Sequence, residues 1–386
     1  MKYFLSFYLL LFFQTNLFAQ KYAVAGTVVD ANTKLPISGA TIFINNTTKY
    51  GVSNDSGQFK IDNLTDERIE VVCSVKGYST LNYLYKKSSK NYAIRFEIYP
   101  IQSNKEIIIG NGSEYLEKTF LHTLLGMLEA RNCEVANMNA LTFFKPKSVN
   151  EIHVSLSEPL IIFNEYLGYM LHVTFNDLLI TNIQDLPHEV FTWFKPLTTK
   201  SSDKIEKWQK AREDVYENSL LRFMRAVYAD NLMQRGFQTR FITRIYSTDS
   251  VYKHIETLMK KTNTMLSDVG IIFLDTSKRY VDLIDKKPIP ASDFRKDEEG
   301  NEISIQLNNK ILQVISTENA TEYIDFNKLP LNERNKAFYF LAIDNQKIFI
   351  EPSGAFYDPS DILFSRLWRH HNLGSKLPVD WLPGVF

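Results

Sequence analysis

Short alternating segments between Tyr22 and Tyr99, each followed by a turn signal, constrain the fold of this chain most strictly. They read YAVAGTVVDA, ATIFIN, QFKI, RIEVVCSVKGY and YAIRFEIY, and glycine, asparagine and aspartate are frequent between them. Short strands at this spacing, without a helical period of apolar residues, are typical of an all-β sandwich. We therefore predict a β-sandwich over residues 21–100.

One turn in this region, SNDSG at residues 53–57, makes the prediction specific. Gly57 is expected to supply a positive φ, and Asp55 to bond back onto the turn backbone, so that a hairpin or near-hairpin leads into the next strand. In that strand Phe59 and Ile61 should face the core, and the residues between them the solvent. A calcium site at Asp55 is the alternative, but turn chemistry accounts for this residue with fewer assumptions.

These turn and core residues resemble those of the carboxypeptidase regulatory-like domain, a transthyretin-like β-sandwich. The matching positions are Gly26, Pro36, Gly39-Ala40, Gly51, Asp55, Gly57, Phe59, Ile61 and Gly77-Tyr78. The resemblance implies an accessory folding or binding module that carries no catalytic residues of its own.

The N-terminus has the pattern of a signal peptide. Lys2 precedes an apolar run from Tyr3 to Phe13, and the small residue Ala19 provides a cleavage position, so residues 1–19 are predicted to be removed. A retained membrane anchor is the alternative, although the run is short for a bilayer span. Because no cysteine follows the run, a lipoprotein anchor is not expected. The prediction is an exported protein, in the periplasm or associated with the outer membrane or cell surface of a Gram-negative bacterium.

Composition limits the partners of the chain. Its 386 residues are 44% hydrophobic, enough for more than one core, and lysine plus arginine number 44 against 44 aspartate plus glutamate. No global field of either sign attracts nucleic acid or an anionic membrane surface, so we expect no nucleic-acid partner. The two cysteines, Cys73 and Cys133, could pair in an exported protein, but the strand position of Cys73 favours two separate buried thiols.

The remaining sequence predicts a linker at residues 101–114, an α+β region at 115–237 with a pair of helices, and a β-rich C-terminal domain at 238–386. A first helix is expected over 114–131, ended by Asn132. In the helical pair, Ser202 or Asp203 should cap one helix, and Ser219 a second that ends at Gly236. The segment Pro159–Asn164 and Gly168 are interpreted as bends between strands. LPVDWLPGVF at the C-terminus should dock as an extended tail.

Three blocks in this order are similar to blocks in a bacterial family of exported carboxypeptidase-like regulatory domain-containing proteins. They are NEYLGYMLHVTFNDL, KWQKAREDVYENSLLRFMRAVYADNLMQRGF and RLWRHHNLGSKLPVDWLP. The sequence departs from that family at Met170, where a basic or polar residue is usual, and at His370-His371, where an aromatic-basic pair is usual. The resemblance implies architecture and envelope location, and little chemistry.

Motifs for catalysis are missing from the sequence. None of the seven histidines is followed three residues later by glutamate, as a zinc carboxypeptidase requires, and neither Gly-x-Ser-x-Gly nor a phosphate-binding glycine loop occurs. His153 and His172 are interpreted as strand residues. The basic residues of the helical pair are interpreted as a solvated face rather than an anion-binding patch.

One cluster remains as a candidate metal or acid/base site, His370-His371 with Asp358 and Asp361. Adjacent helical histidines diverge by about 100°, which argues against both of them facing one ion. We therefore predict no catalytic, cofactor-binding or metal residue and no cofactor. The functional hypothesis is a non-enzymatic cell-envelope protein that binds a protein or a glycan, with peripheral association with the outer membrane left open. A hydrolase of unrecognised type is the alternative.

Overall fold

The computed structural model describes residues 21–87, 93–101, 113–144, 152–180, 189–217, 219–246, 269–275, 280–285, 287–299, 302–316, 337–342, 347–357, 362–365 and 372–384. The predicted signal peptide and most of the predicted linker lie outside these ranges. The described part is rich in strands, contains three α-helices, and arranges its strands in several sheets, as the sequence predicts. None of its helices combines the length and the apolar character that a membrane span needs.

The N-terminal sandwich is made of seven strands. They are β1 (Tyr22–Asp30), β2 (Thr41–Ile44), β3 (Tyr50–Val52), β4 (Gln58–Leu64), β5 (Arg68–Ser74), β6 (Leu81–Lys86) and β7 (Ile94–Ile98). One sheet has the order β4-β1-β7 and the other β3-β2-β5-β6. Strand alternation places Phe59 and Ile61, 5% and 2% exposed, in the core between the sheets, which confirms the prediction for this strand.

The turn before β4 differs from the predicted hairpin, because β3 and β4 belong to different sheets and the turn carries the chain across the sandwich. Gly57 has the predicted positive φ of 71°, and its carbonyl accepts the Val28 amide at 2.8 Å. The residue that bonds back onto the turn is Asn54, whose Oδ1 accepts the amides of residues 56 and 58. Asp55 instead accepts the hydroxyl of Ser38 at 2.9 Å.

The middle region contains helices α1 (Ser113–Leu125) and α2 (Ser202–Glu217) and seven strands. The strands are β8 (Cys133–Val135), β9 (Leu141–Phe144), β10 (Ile152–Leu156), β11 (Leu160–Asn164), β12 (Tyr169–Thr174), β13 (Asp177–Ile180) and β14 (Phe191–Pro196). They form sheets β13-β10-β9 and β14-β12-β11-β8. The interpretation of Pro159–Asn164 as bends is wrong, because alternating burial makes Leu160–Asn164 a strand.

The C-terminal region begins with helix α3 (Leu220–Tyr228) and continues with nine strands. They are β15 (Phe237–Tyr246), β16 (Val269–Asp275), β17 (Tyr280–Asp285), β18 (Arg295–Asp297), β19 (Ile303–Ile305), β20 (Ile311–Ser316), β21 (Ala337–Ala342), β22 (Ile348–Ile350) and β23 (Ile362–Ser365). Six form the sheet β16-β17-β15-β20-β21-β23, and three form β18-β19-β22. Helix α3 buries Phe223 and Val227 in the core of this region.

Helix ends follow local chemistry that the sequence partly revealed. The predicted cap Ser219 accepts the Arg222 amide at 3.1 Å, but α3 ends at Tyr228 and not at Gly236. For α2, the cap is Ser201, whose hydroxyl accepts the Lys204 amide, and not residue 202 or 203. Helix α1 ends at Leu125 rather than at Asn132, because Gly126 adopts a φ of 93°.

The C-terminal tail docks without regular strand structure, as predicted for its described residues. Leu373 and Leu377, 1% and 5% exposed, join the core of the middle region. The Val379 amide donates to the Asn46 carbonyl of the sandwich at 2.8 Å. The tail therefore contacts both regions and holds them in place.

Candidate binding cleft

A cleft of about 390 Å³ lies where the sandwich meets the three-stranded sheet of the middle region. Its wall is the β5–β6 connection, residues 74–80, and its floor is the outward face of the sheet β13-β10-β9. Small-molecule sites in proteins are commonly concave pockets of roughly 300–1,000 Å³ at domain interfaces. Its position between two regions makes this cleft the candidate functional site.

The floor of the cleft follows from the alternation of β10. Val154 and Leu156, 0% and 6% exposed, point into the middle core, so Ser155 points outward. Antiparallel register places Ser155 directly opposite Thr142 of β9 and opposite Asp177 of β13. The three polar side chains therefore form a row across the sheet, at the strand spacing of about 4.8 Å. This row is called the polar row below.

The wall of the cleft is fixed to the middle region by a chain of hydroxyl groups. Thr174 Oγ1 lies 3.2 Å from Ser74 Oγ and 2.6 Å from Thr80 Oγ1, and all three residues are buried. The Asn176 side chain also accepts the Thr80 amide at 2.8 Å and donates to the Thr80 carbonyl at 3.0 Å. Buried polar groups that are satisfied in this way fix one relative position of the two surfaces.

The rim carries the charged groups of the cleft. Lys76 Nζ lies 2.8 Å from the Glu158 carboxylate, and this hydrogen bond lowers the pKa of Glu158. His153 Nδ1 lies 3.4 Å from Asp177 Oδ2. Among the described residues that line the cleft, none is lysine or arginine. The lining is therefore polar and mildly acidic, and both of its carboxylates are near a basic side chain.

A second contact between sandwich and middle region is aromatic. Phe43 and Val72 of the sandwich pack against Phe191 and Trp193 of β14. The Trp193 ring stacks on His172 with centroids 4.1 Å apart. Burial lowers the pKa of His172 to about 4, so this histidine is a neutral packing residue, consistent with its interpretation as a strand residue.

A third contact joins the sandwich to the C-terminal region around Glu351, which is 4% exposed. Its carboxylate accepts the backbone amides of Glu67 and Arg68 at 2.9 and 3.1 Å. Ser353 Oγ donates to Asp66 Oδ2 at 2.5 Å, whereas Asp66 Oδ1 is buried without a partner in the described structure. Burial, and then repulsion by Asp66, raises the pKa of Glu351 to about 8. We call these residues the acidic junction.

The basic residues of the helical pair do not form one patch. Lys204 pairs with Glu165 at 2.8 Å, and Arg222 with Glu217 at 3.0 Å. Arg212 donates to the carbonyls of residues 167 and 168, and Arg225 to those of residues 353, 379 and 381. Lys204 fits the interpretation of a solvated face. That interpretation is wrong for Arg212 and Arg225, because their guanidinium groups are bound to backbone carbonyls.

The cluster His370-His371 with Asp358 and Asp361 lies outside the described residues, and a site there stays a prediction. Within the described ranges, no group of three or more histidine, cysteine, aspartate or glutamate residues is placed to hold a metal ion. Cys73 and Cys133 are free thiols, as favoured from the sequence, and Cys133 is only half-buried. Burial raises the pKa of the Cys73 thiol to about 12, which makes it unreactive.

Sequence reasoning missed the polar row. Thr142 and Ser155 each read as an ordinary outward residue of a strand, and nothing local distinguishes them from other surface hydroxyl groups. The available signal was the alternation of NEIHVSL, which puts His153 and Ser155 on one face. Strand register was needed to bring the three strands together.

Residues 24–109 match the model of the CarboxypepD_reg-like domain family, which confirms the resemblance of the N-terminal region. The match extends over the sandwich and part of the segment that follows it. A regulatory-like domain of this kind fits a binding or structural module rather than a catalytic one. No curated protein matches the chain.

Three solved structures are distantly similar. One is a type II cohesin–X-dockerin complex from Acetivibrio cellulolyticus, which is 21% identical in sequence with a TM-score of 0.18. The matched segment covers 20% of the present chain and 57% of the chain in that complex. A candidate carbohydrate binding protein from Bacteroides uniformis is 9% identical with a TM-score of 0.18, and the match covers 45% of the present chain and 78% of the Bacteroides uniformis chain. A candidate membrane-associated protein of unknown function from Bacteroides fragilis is 9% identical with a TM-score of 0.18, and the match covers 87% of the present chain and 92% of the Bacteroides fragilis chain. Likenesses this distant say nothing about the cleft.

Proposed function

We propose that this protein is an exported, non-enzymatic binding protein of the bacterial cell envelope, and that the cleft between the sandwich and the sheet β13-β10-β9 holds its protein or glycan partner. The observation that carries the proposal is the hydroxyl chain from Ser74 through Thr174 to Thr80, which fixes the cleft wall against the middle region. A preformed cleft binds with little ordering cost. Binding therefore needs no further rearrangement of the two regions.

Export is proposed from the N-terminal pattern of Lys2, the apolar run Tyr3 to Phe13 and Ala19. The periplasm or the outer-membrane surface is then the compartment in which the partner is found. Peripheral association with the outer membrane would follow from binding an envelope component, and it requires no anchor in the mature chain.

Absence of catalysis is proposed from the way the carboxylates of the cleft are engaged. A general acid or base needs a perturbed group within reach of the substrate. Glu158 forms an ion pair with Lys76, and this pairing lowers the pKa of the Glu158 carboxyl group. Glu158 is therefore ionised at neutral pH. This is the behaviour of a structural ion pair.

A periplasmic hydrolase remains as the second candidate because His153 lies 3.4 Å from Asp177, beside the polar row. A histidine oriented by a carboxylate is the usual companion of a hydroxyl nucleophile. If the protein hydrolyses model esters or glycosides and His153→Ala abolishes this activity while the fold is retained, the non-enzymatic proposal is wrong.

Sedimentation of the protein with cell-envelope fractions tests the binding proposal. Ser155→Phe fills the cleft from an outward position, and Ser56→Phe is the matched control in an exposed turn. We expect the wild-type protein and the control to sediment with outer membranes or cell-wall material, and the filled variant to stay in solution. Equal sedimentation of all three proteins, or retention of the protein in the cytoplasm, would contradict the proposal.

A further inference from the structure

Hydroxyl groups dominate the lining of the cleft, since half of the residues that line it are serine, threonine or tyrosine. A hydroxyl both donates and accepts hydrogen bonds. Ligands whose own polar groups do the same, as the hydroxyls of a sugar do, can satisfy such a surface in several orientations. A carboxylate or ammonium ligand matches it less well, because each offers only acceptors or only donors.

Two hydroxyls of the cleft floor are available to a ligand. Those of Ser74, Thr80 and Thr174 bond to one another in the wall. The hydroxyls of Thr142 and Ser155, both half-buried in the floor, have no hydrogen-bond partner among the described residues. Because Thr142 and Ser155 are directly opposite each other on paired strands, they present two adjacent donor–acceptor groups to the same ligand.

The charges of the lining disfavour an acidic ligand. The lining contains the carboxylates of Glu158 and Asp177 and, among described residues, no lysine or arginine to bind an anion. A phosphate or uronate group would meet like charge there. A strongly basic ligand is not favoured either, since the Glu158 carboxylate already forms an ion pair with Lys76.

Apolar surface completes the lining. Phe175 and Tyr78 line the cleft, and Ile101 contributes a side chain that is 43% exposed. The Tyr78 hydroxyl donates to Asp30 at 3.0 Å, which fixes the position of its ring. Sites for small ligands combine apolar and aromatic surface with a few placed polar groups. The C–H faces of a sugar ring suit this apolar part, and its hydroxyls suit the polar row.

We propose that the cleft binds a neutral carbohydrate, one mono- or disaccharide unit of a larger glycan, through hydrogen bonds from the Thr142 and Ser155 hydroxyls and packing against Tyr78 and Ile101. This inference rests on the proposed function and names the ligand class of the same cleft. A volume of about 390 Å³ accommodates a unit of that size.

A ligand array containing neutral saccharides, uronic-acid saccharides and basic and neutral peptides tests the inference on the full-length protein. We expect neutral saccharides to bind. Each of Thr142→Val and Ser155→Ala should weaken that binding about fivefold, and the double variant about 25-fold, the loss expected for neutral hydrogen bonds of ~1 kcal/mol each. Ser56→Ala is the matched control and should bind as the wild type does. Equal melting temperatures establish that the variants are folded.

The outcomes separate this inference from the proposed function. Preference for uronic-acid saccharides or peptides, or neutral-saccharide binding that the double variant leaves unchanged, overturns the carbohydrate assignment. If no saccharide binds although Ser155→Phe abolishes sedimentation with the envelope, the assignment fails and the proposed binding function stands.

Discussion

Replacing Glu351 with glutamine should remove a pH dependence of stability that arises at the acidic junction. Burial next to Asp66 raises the pKa of Glu351 from 4.5 to about 8. Between these values the unfolded chain has released the proton and the folded protein still holds it. The free energy of unfolding must therefore fall as pH rises through this range, and it stays at its lower value above pH 8.

The size of the effect is clearest between pH 6.5 and 8. His172, whose pKa is lowered from 6.5 to about 4, acts in the opposite direction below pH 6.5 and contributes little above it. One proton over about 1.5 pH units, at ~1.4 kcal/mol per unit, sets an upper limit of about 2 kcal/mol. Because Glu351 itself begins to ionise as pH approaches 8, the expected loss in the wild type is about 1.5 kcal/mol. Burial lowers the pKa of Lys376 to about 8, and this group opposes the loss only at the upper end of the range. Glutamine also loses one hydrogen bond from the amides of Glu67 and Arg68, but that cost of ~1–2 kcal/mol does not change with pH.

Guanidinium unfolding, followed by tryptophan fluorescence at several values from pH 6.5 to 8, measures this difference. Glu97→Gln is the control, because Lys34 and Arg95 lower the pKa of Glu97 and its titration lies below this range. Wild type and control should lose about 1.5 kcal/mol, and Glu351→Gln should lose little. Parallel curves for all three proteins would refute the reasoning about the acidic junction.

Three further substitutions test a turn inside the sandwich and two contacts that hold the regions together. Arg225→Met should cost about 3 kcal/mol of unfolding free energy, because three backbone carbonyls lose their donor. Gly57→Ala should cost more than about 2 kcal/mol, since the new Cβ would lie 2.4 Å from a carbonyl oxygen, whereas Gly39→Ala, with similar φ and open space, should cost about 1 kcal/mol. Trp193→Ala should destabilise the protein by about 3–5 kcal/mol and raise the pKa of His172 from about 4 towards its ordinary value, measured by NMR.

Local features of the fold were predictable where one residue type determines one backbone state. Gly57 adopts its positive φ, Ser219 caps its helix, and the alternation of Phe59 and Ile61 places both in the core. The side chain that stabilises the turn was not predictable, because Asn54 and Asp55 are adjacent and both can accept hydrogen bonds from turn amides. Only the backbone geometry decides that Asn54 receives the amides.

Contacts between segments that are distant along the chain could not be predicted from the sequence. The turn at Gly57 indicates a change of direction, but not that the next strand joins the other sheet. Similarly, Glu351 accepts the amide of Glu67 across 284 residues of chain. The sequence around neither residue contains a pattern that predicts this contact. The polar row has the same origin, since it depends on the register of three strands.

The most direct test of the cleft as the binding site is photocrosslinking in living cells from a reactive residue introduced at Ser157. This exposed residue lies on the rim of the cleft, and a reactive residue at Ser56 serves as the control. We predict that Ser157 gives a specific adduct with an envelope component and that Ser155→Phe in the same chain abolishes it. An adduct that persists in the filled variant, or one that forms equally from Ser56, would contradict the account.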